Sequence, residues 1–177
     1  MDITKFAILK KLAGGGGGGG DHAAEDAIIS RTITDYTNDR VTSIGEFAFD
    51  VCSNLTSANF PAATSIGGAA FSECSSLTSA DFPAVTSIEN FAFEVCSNLT
   101  SITLRVTTQV CTLSNTSAFN STPIKSGTGY IYVPAALIDS YKTATNWTTY
   151  ANQFRALESY TVDGTTTGEL DPTKVNA

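Results

Sequence analysis

From Ile44 to Leu104 the chain repeats one arrangement of apolar and polar positions with a period of 22 residues. Seven positions stay apolar in all three copies: Ile44/Ile66/Ile88, Ala48/Ala70/Ala92, Phe49/Phe71/Phe93, Cys52/Cys74/Cys96, Leu55/Leu77/Leu99, Ala58/Ala80/Ile102 and Phe60/Phe82/Leu104. These positions define the interior. Within each copy Ser57-Ala58-Asn59-Phe60, Ser79-Ala80-Asp81-Phe82 and Ser101-Ile102-Thr103-Leu104 alternate polar with apolar, the period of a short strand. Pro61 and Pro83, which have no amide hydrogen to donate, end that strand in two copies. A period of this length predicts a solenoid, in which each coil buries its apolar side only against its neighbours. Stacking the strands about 4.8 Å apart produces a parallel sheet. Its outward rows are Ser57/Ser79/Ser101 and Asn59/Asp81/Thr103.

The pattern continues, degraded, on both sides. Ile33, Tyr36 and Val41 fall two repeats, 44 residues, before Leu77, Ala80 and Val85, so 21–43 is expected to be a capping half-coil, with Asp35, Asn38, Asp39 and Arg40 giving it a polar outer side. After Leu104 the register slips. Ala118-Phe119 matches Ala92-Phe93, and Ile131-Tyr132-Val133-Pro134 matches the strand and its stop, which extends the solenoid over 44–134 with a distorted fourth coil. Tyr130 and Tyr132 then point outward. Pro134 opens a helical cap over 135–158, proline being tolerated in a first helical turn. A further helix is expected from about Trp147, with Trp147, Tyr150 and Phe154 on one face covering the last coil. Residues 159–177 are expected to be a strand-and-loop tail.

The run Ile-Gly-x-x-Ala-Phe-x-x-Cys-x-x-Leu-x-x-Ala-x-Phe-Pro resembles the BspA-like leucine-rich repeats of bacterial surface proteins and phage proteins. The resemblance is close over 44–104 and looser to 134, and it departs where Arg105 replaces the proline. It implies an α/β solenoid with parallel strands on one side, and a non-catalytic adhesion or recognition module. The full expectation adds an N-terminal helix and the helical C-terminal cap.

Ahead of the repeats, Asp2 to Ala13 favours a short helix with Ile3, Phe6, Leu9 and Leu12 on one apolar side. Gly14 to Gly20 stop it. Residues 1–20 therefore read as an anchor plus a linker, the glycines serving either as a flexible tether or as a close-packing element of an oligomeric stalk. So short a helix is marginal alone in water, so a partner is expected to order it. Lys10 and Lys11 directly follow Ile8 and Leu9 and interrupt the apolar core a secretory signal needs, so export by that route is not expected. No apolar run reaches the length of a membrane span.

Charge narrows the partners. The chain carries a net charge of −7, and 44–104 holds Glu46, Asp50, Glu73, Asp81, Glu89 and Glu94 with no Lys or Arg, an arrangement that repels nucleic acid. The Asn-x-Ser/Thr triplets at Asn54, Asn98, Asn115, Asn120 and Asn146 read as products of an Asn/Ser/Thr-rich coil. Cys52, Cys74 and Cys96 share one repeat position and are expected to form a buried, reduced ladder, with Cys111 outside it; their spacing provides no zinc site. His22 beside the glycines is a solvated loop residue, and Gly164-Thr-Thr-Thr-Gly168 lacks the lysine of a phosphate loop. No catalytic residue, metal or cofactor is assigned.

The candidate binding residues are Asn59, Asp81, Thr103, Tyr130 and Tyr132 on the outward strand face. Two function classes follow: a phage virion component in tail, baseplate or head decoration, or a bacterial cell-surface or secreted adhesin. The anchor-like start and the small number of coils favour the virion. Other virion or surface proteins, a host cell-surface protein or glycan, and further copies of the chain are the partners this reading supplies.

Overall fold

The computed structural model describes residues 33–162 and 165–170. Each copy of the repeat forms one coil, because its apolar positions fall at the inward side of two short strands and of the turns between them. The longer strands, β1 (Asp35–Thr37), β3 (Ser57–Asn59), β5 (Ser79–Phe82), β7 (Ser101–Leu104), β9 (Tyr130–Pro134) and β10 (Phe154–Val162), lie side by side in parallel. β11 (Thr165–Leu170) closes the row as an antiparallel partner of β10. The second side is a sheet of two-residue strands, β2 (Ser43–Ile44), β4 (Ser65–Ile66), β6 (Ser87–Ile88) and β8 (Thr112–Leu113). There isoleucine or leucine points in, and the partner residue is more exposed.

The third side is made of turns that are also hydrogen-bonded from coil to coil. Phe47, Phe49 and Val51 donate their amides to the carbonyls of Gly68, Ala70 and Ser72 at 3.0, 2.7 and 2.8 Å. Ala69, Phe71 and Glu73 donate in the same way to Asn90, Ala92 and Glu94 at 3.1, 2.8 and 2.8 Å. To make this corner each coil places two residues in the left-handed region: Phe47 and Val51, Ala69 and Glu73, Phe91 and Val95, with φ between 51° and 60°. Such conformations cost on the order of 1 kcal/mol or more for side chains like valine. The inter-coil bonds hold them in place.

Threonine locks the joints between sides. Thr56 and Thr100 each give both amide and hydroxyl to the carbonyl of the threonine 22 residues earlier, Thr34 and Thr78, while Thr64 and Thr86 do the same toward Thr42 and Thr64. Inside, Phe49, Phe71, Phe93 and Phe119 form one column of parallel rings, with centroids 5.1 to 5.5 Å apart and planes within 4°. Centroid spacings of this size with parallel planes are the offset arrangement that ring quadrupoles favour. Tyr36 covers the column at one end, 5.2 Å from Phe49, and Trp147 and Tyr150 cover Phe119 at the other.

Residues 21–32 of the expected capping half-coil lie outside the described residues, and the described part packs on the first coil. Ile33 and Tyr36 are buried, and β1 pairs with β3. The fourth coil absorbs extra residues in a 3-10 turn (Thr116–Phe119) and a short helix α1 (Pro123–Ser126), whose N-cap Thr122 accepts from the Lys125 amide. Gly129 then brings the chain back against the third coil: a Cβ there would lie 2.8 Å from the Thr100 carbonyl oxygen and from the Ile124 nitrogen.

The C-terminal cap is helical as far as Tyr150, through a 3-10 turn (Ala135–Leu137), α2 (Ile138–Thr143) and a second 3-10 turn (Trp147–Tyr150). The helix expected to carry Trp147, Tyr150 and Phe154 together is replaced beyond that turn by β10, which starts at Phe154. The three rings still meet: Trp147 is 6.1 Å from Tyr150 and 5.7 Å from Phe154. The exposed sheet edge beyond β9 offers Phe154 unpaired backbone groups as well as the core, and a strand uses both.

All four cysteines are buried and none is in a disulfide. The ladder thiols have a polar task that the sequence does not reveal: Cys74 donates from Sγ to the Phe49 carbonyl at 3.1 Å and Cys96 to that of Phe71 at 3.0 Å. Burial drives the Cys74 thiol far up, with the neighbouring Cys96 and Cys52 thiols adding to it, and pushes Cys96 and Cys111 up to about 12.

Two tests follow from this interior. Phe71→Ala removes the middle ring of the column and is expected to cost about 3–5 kcal/mol in reversible urea unfolding, whereas Asn59→Ala on the exposed side of β3 stays within about 0.5 kcal/mol; a cost below about 1 kcal/mol for Phe71→Ala contradicts the stacked register. Thiol labelling at pH 8 is expected to modify Cys74, Cys96 and Cys111 only after denaturation, because the reactive thiolate forms well above that pH in the folded chain.

Candidate functional site

The strand register fixes which residues share the outward face of the long sheet. Asn59 pairs with Asp81, Asp81 with Thr103, Thr103 with Tyr132 and Tyr132 with Arg155, so four of the five candidate residues form one row; Tyr130 stands beside it, opposite Ser101. The five do come together on one face. Their accessibility differs more than the alternation of the sequence implied.

Asn59 is exposed and Tyr130 is 38 % exposed, while Asp81 and Tyr132 are half-buried. Thr103 is only 3 % exposed. It points outward by register but lies in a row between Asp81 and Tyr132, and its own contribution to an external ligand is removed by that cover. Asp81 is also engaged. Arg105, at the place where the repeat carries proline, turns back across the sheet, giving Nε to Oδ1 at 3.0 Å and Nη2 to Oδ2 at 2.9 Å. The first basic side chain after the acidic segment therefore neutralises one of its carboxylates.

At the start of the face Asp35 accepts from the Ser57 hydroxyl. That bond, with smaller help from Thr34 and Thr56, holds the Asp35 carboxyl below its usual range. At the far end the guanidinium carbon of Arg155 sits 4.3 Å from the centroid of the Tyr130 ring, a cation–π pair. Arg155 was not legible as a site residue, because the segment reads as a helix and only its place in β10 brings it beside Tyr132. The face thus runs from a carboxylate end, through small polar side chains, to an end built of two tyrosines and an arginine.

Other chemistry-bearing groups are used structurally. Tyr141 accepts the Cys111 amide through its hydroxyl at 2.9 Å, Trp147 donates Nε1 to the Cys111 carbonyl at 2.6 Å, and the Tyr150 hydroxyl donates to Thr116. Burial pushes both tyrosine hydroxyls up to about 12. A shallow cleft of about 480 Å³ lies between Val110–Ser114 and Ala144–Trp147. Asn146, left-handed at φ 64°, crosses it to donate to the carbonyls of Leu113 and Ser114 at 2.7 and 3.0 Å, so its polar groups serve the fold. Among the described residues no group of three metal-ligating side chains converges, and no helix is long and apolar enough to cross a membrane. His22 and the anchor positions Ile3, Phe6, Leu9 and Leu12 lie outside the described residues.

The family model for the BspA type leucine rich repeat region matches residues 30–135 in six copies. The chain belongs to that family. The match takes in the end of the capping half-coil and the distorted fourth coil as well as the three regular copies. No curated protein matches the sequence. Leucine-rich repeats of this kind are in general an interaction fold without catalysis, and the protein is a repeat-based protein-interaction module.

The Asp81–Arg105 pair supplies a direct check. With both side chains partly exposed, its worth is of the order of 1 kcal/mol at most. Asp81→Ala is expected to lower stability by that amount, with the difference narrowing in high salt; an effect that is independent of salt refutes the ion pair as its cause.

Proposed function

We propose that this protein is a non-enzymatic recognition component of a bacteriophage virion, in the tail, baseplate or head decoration, where residues 1–20 attach it and the solenoid is displayed. The observation that carries this reading is the junction of two unlike parts. A rigid, hydrogen-bonded stack of coils is preceded by an apolar segment with Ile3, Phe6, Leu9 and Leu12 and then by Gly14 to Gly20. A segment of that size buries too little surface to fold by itself, so its natural place is against another protein. The glycines let the solenoid stand away from that contact.

The displayed face suits recognition of a host cell-surface protein or glycan. Tyr130, Tyr132 and Arg155 offer flat apolar surface with polar edges, and Asn59, Ser57 and Ser79 offer small hydrogen-bonding groups, Ser101 being buried. Several copies around one axis would multiply weak contacts into useful avidity, which favours a homo-oligomer in the particle.

Deletion of residues 1–20 tests the assignment. The truncated chain is expected to keep the cooperative unfolding of the solenoid and to be lost from purified parent particles. Normal incorporation of the truncated chain overturns the anchor and favours a bacterial surface adhesin instead.

A further inference from the structure

The corner of the solenoid made by the left-handed residues has a composition that the fold does not require. Phe47, Val51, Phe91 and Val95 are 38–49 % exposed, and they are all four at φ of 56° to 60°, where a β-branched or bulky side chain is an outlier. The middle coil makes the same corner with Ala69 and Glu73 at φ 51° and 58°. Neither the backbone nor the core therefore needs large apolar groups there. Coil stacking places Phe47 and Phe91 about 10 Å apart, two coil spacings of ~4.8 Å, with the small Ala69 between them. Val51 and Val95 flank Glu73 in the same way. The result is a notch between two aromatic ridges, beside a carboxylate bordered by two valines.

The rim is acidic. The Glu46 side chain reaches across to Gly68, where an added Cβ would lie 3.6 Å from its Oε1, and Asp50, Glu73 and Glu94 follow along the corner. No Lys or Arg occurs between residues 44 and 104. A second copy of this corner would bring like charges together, which disfavours self-association through it.

The geometry points to residues 2–13 of the same chain as the occupant of this corner in the free protein. That segment carries the complementary chemistry: Ile3, Phe6, Leu9 and Leu12 for the notch, and Lys5, Lys10 and Lys11, three of the chain's ten basic residues, for the carboxylate rim. Its distance in sequence suits the contact. Residues 14–32 separate it from Ile33, which lies just before β1, the strand that pairs with β3 of the coil carrying Phe47, and nineteen residues span about 25 Å as a random coil. Tethering at that range supplies an effective concentration in the millimolar region, enough to populate a weak contact. The contact shields the attachment segment from non-specific association until the segment meets its site on the particle, and so rests on the attachment role proposed above.

Carbodiimide crosslinking of the full chain at low micromolar concentration tests this, because the reagent joins an ammonium to a carboxylate only when the two touch. Links from Lys5, Lys10 or Lys11 to Glu46, Asp50, Glu73 or Glu94 are expected within single chains, together with tryptic cleavage at those lysines slower than in an isolated peptide of residues 1–20. Phe47→Asn/Phe91→Asn keeps a residue that tolerates positive φ. It is expected to retain the unfolding transition, to lose the links and to be cleaved at the rate of the peptide. Absence of the links in the original chain, links found only between chains, or links that survive in the double variant each overturn the contact. Incorporation into the particle is read separately: a chain that incorporates through residues 1–20 yet gives no intrachain links retains the proposed function and loses this inference.

Discussion

The structure depends on one constraint: a coil of 22 residues has an interior only when another coil lies on it. The phenylalanine column shows this most directly. Phe71 meets Phe49 on one side and Phe93 on the other, each as a parallel ring, and every ring except those at the ends is completed by residues one repeat away. The hydrogen bonds obey the same rule. The long strands, the two-residue strands and the turn corner all send their bonds along the stack, so that three ladders and the threonine joints add up only once coils are adjacent. Stability in such an array is a sum of neighbour terms, and the terminal coils are where it is weakest.

This explains why the two ends look unlike the middle. At the first end Tyr36 replaces the small Ala58 or Ala80 of the regular copies and lays its ring on both Phe49 and Phe60. At the other end the column would finish on Phe119, and the chain instead folds Tyr141, Trp147, Tyr150 and Phe154 over it. Three of these aromatics bring polar atoms, and Tyr141, Trp147 and Tyr150 use them to bond the backbone at Cys111 and Thr116. A capping layer of plain aliphatic side chains would leave those backbone groups buried without partners.

Because all cohesion runs through the interior and along the ladders, the outer surface is left to other purposes. The strand face is polar and ends in a tyrosine–arginine cluster; the turn corner carries exposed phenylalanines and valines within an acidic rim. These two faces lie on different sides of the same coils. The proposed display of the first and the proposed shelter of residues 2–13 on the second are therefore compatible in one short solenoid.

The sequence by itself determined the coil. The period, the seven inward positions, the strand alternation and the cysteine row were all legible, because in a solenoid the contacts of a residue are with its own repeat equivalents and a periodic pattern states them directly. The tertiary structure decided what depends on non-repeating neighbours. Thr103 reads as outward by alternation and is covered because of what stands beside it in the row; Asp81 finds Arg105 only through a chain reversal outside the regular repeat. Arg155 joins the face because Phe154 begins a strand along an open sheet edge, where the local spacing of Trp147, Tyr150 and Phe154 reads as a helix. The left-handed corner was equally silent, since Phe47 and Val51 carry no local signal for positive φ. Only the inter-coil hydrogen bonds of the stacked structure impose that conformation and turn those side chains to the outside.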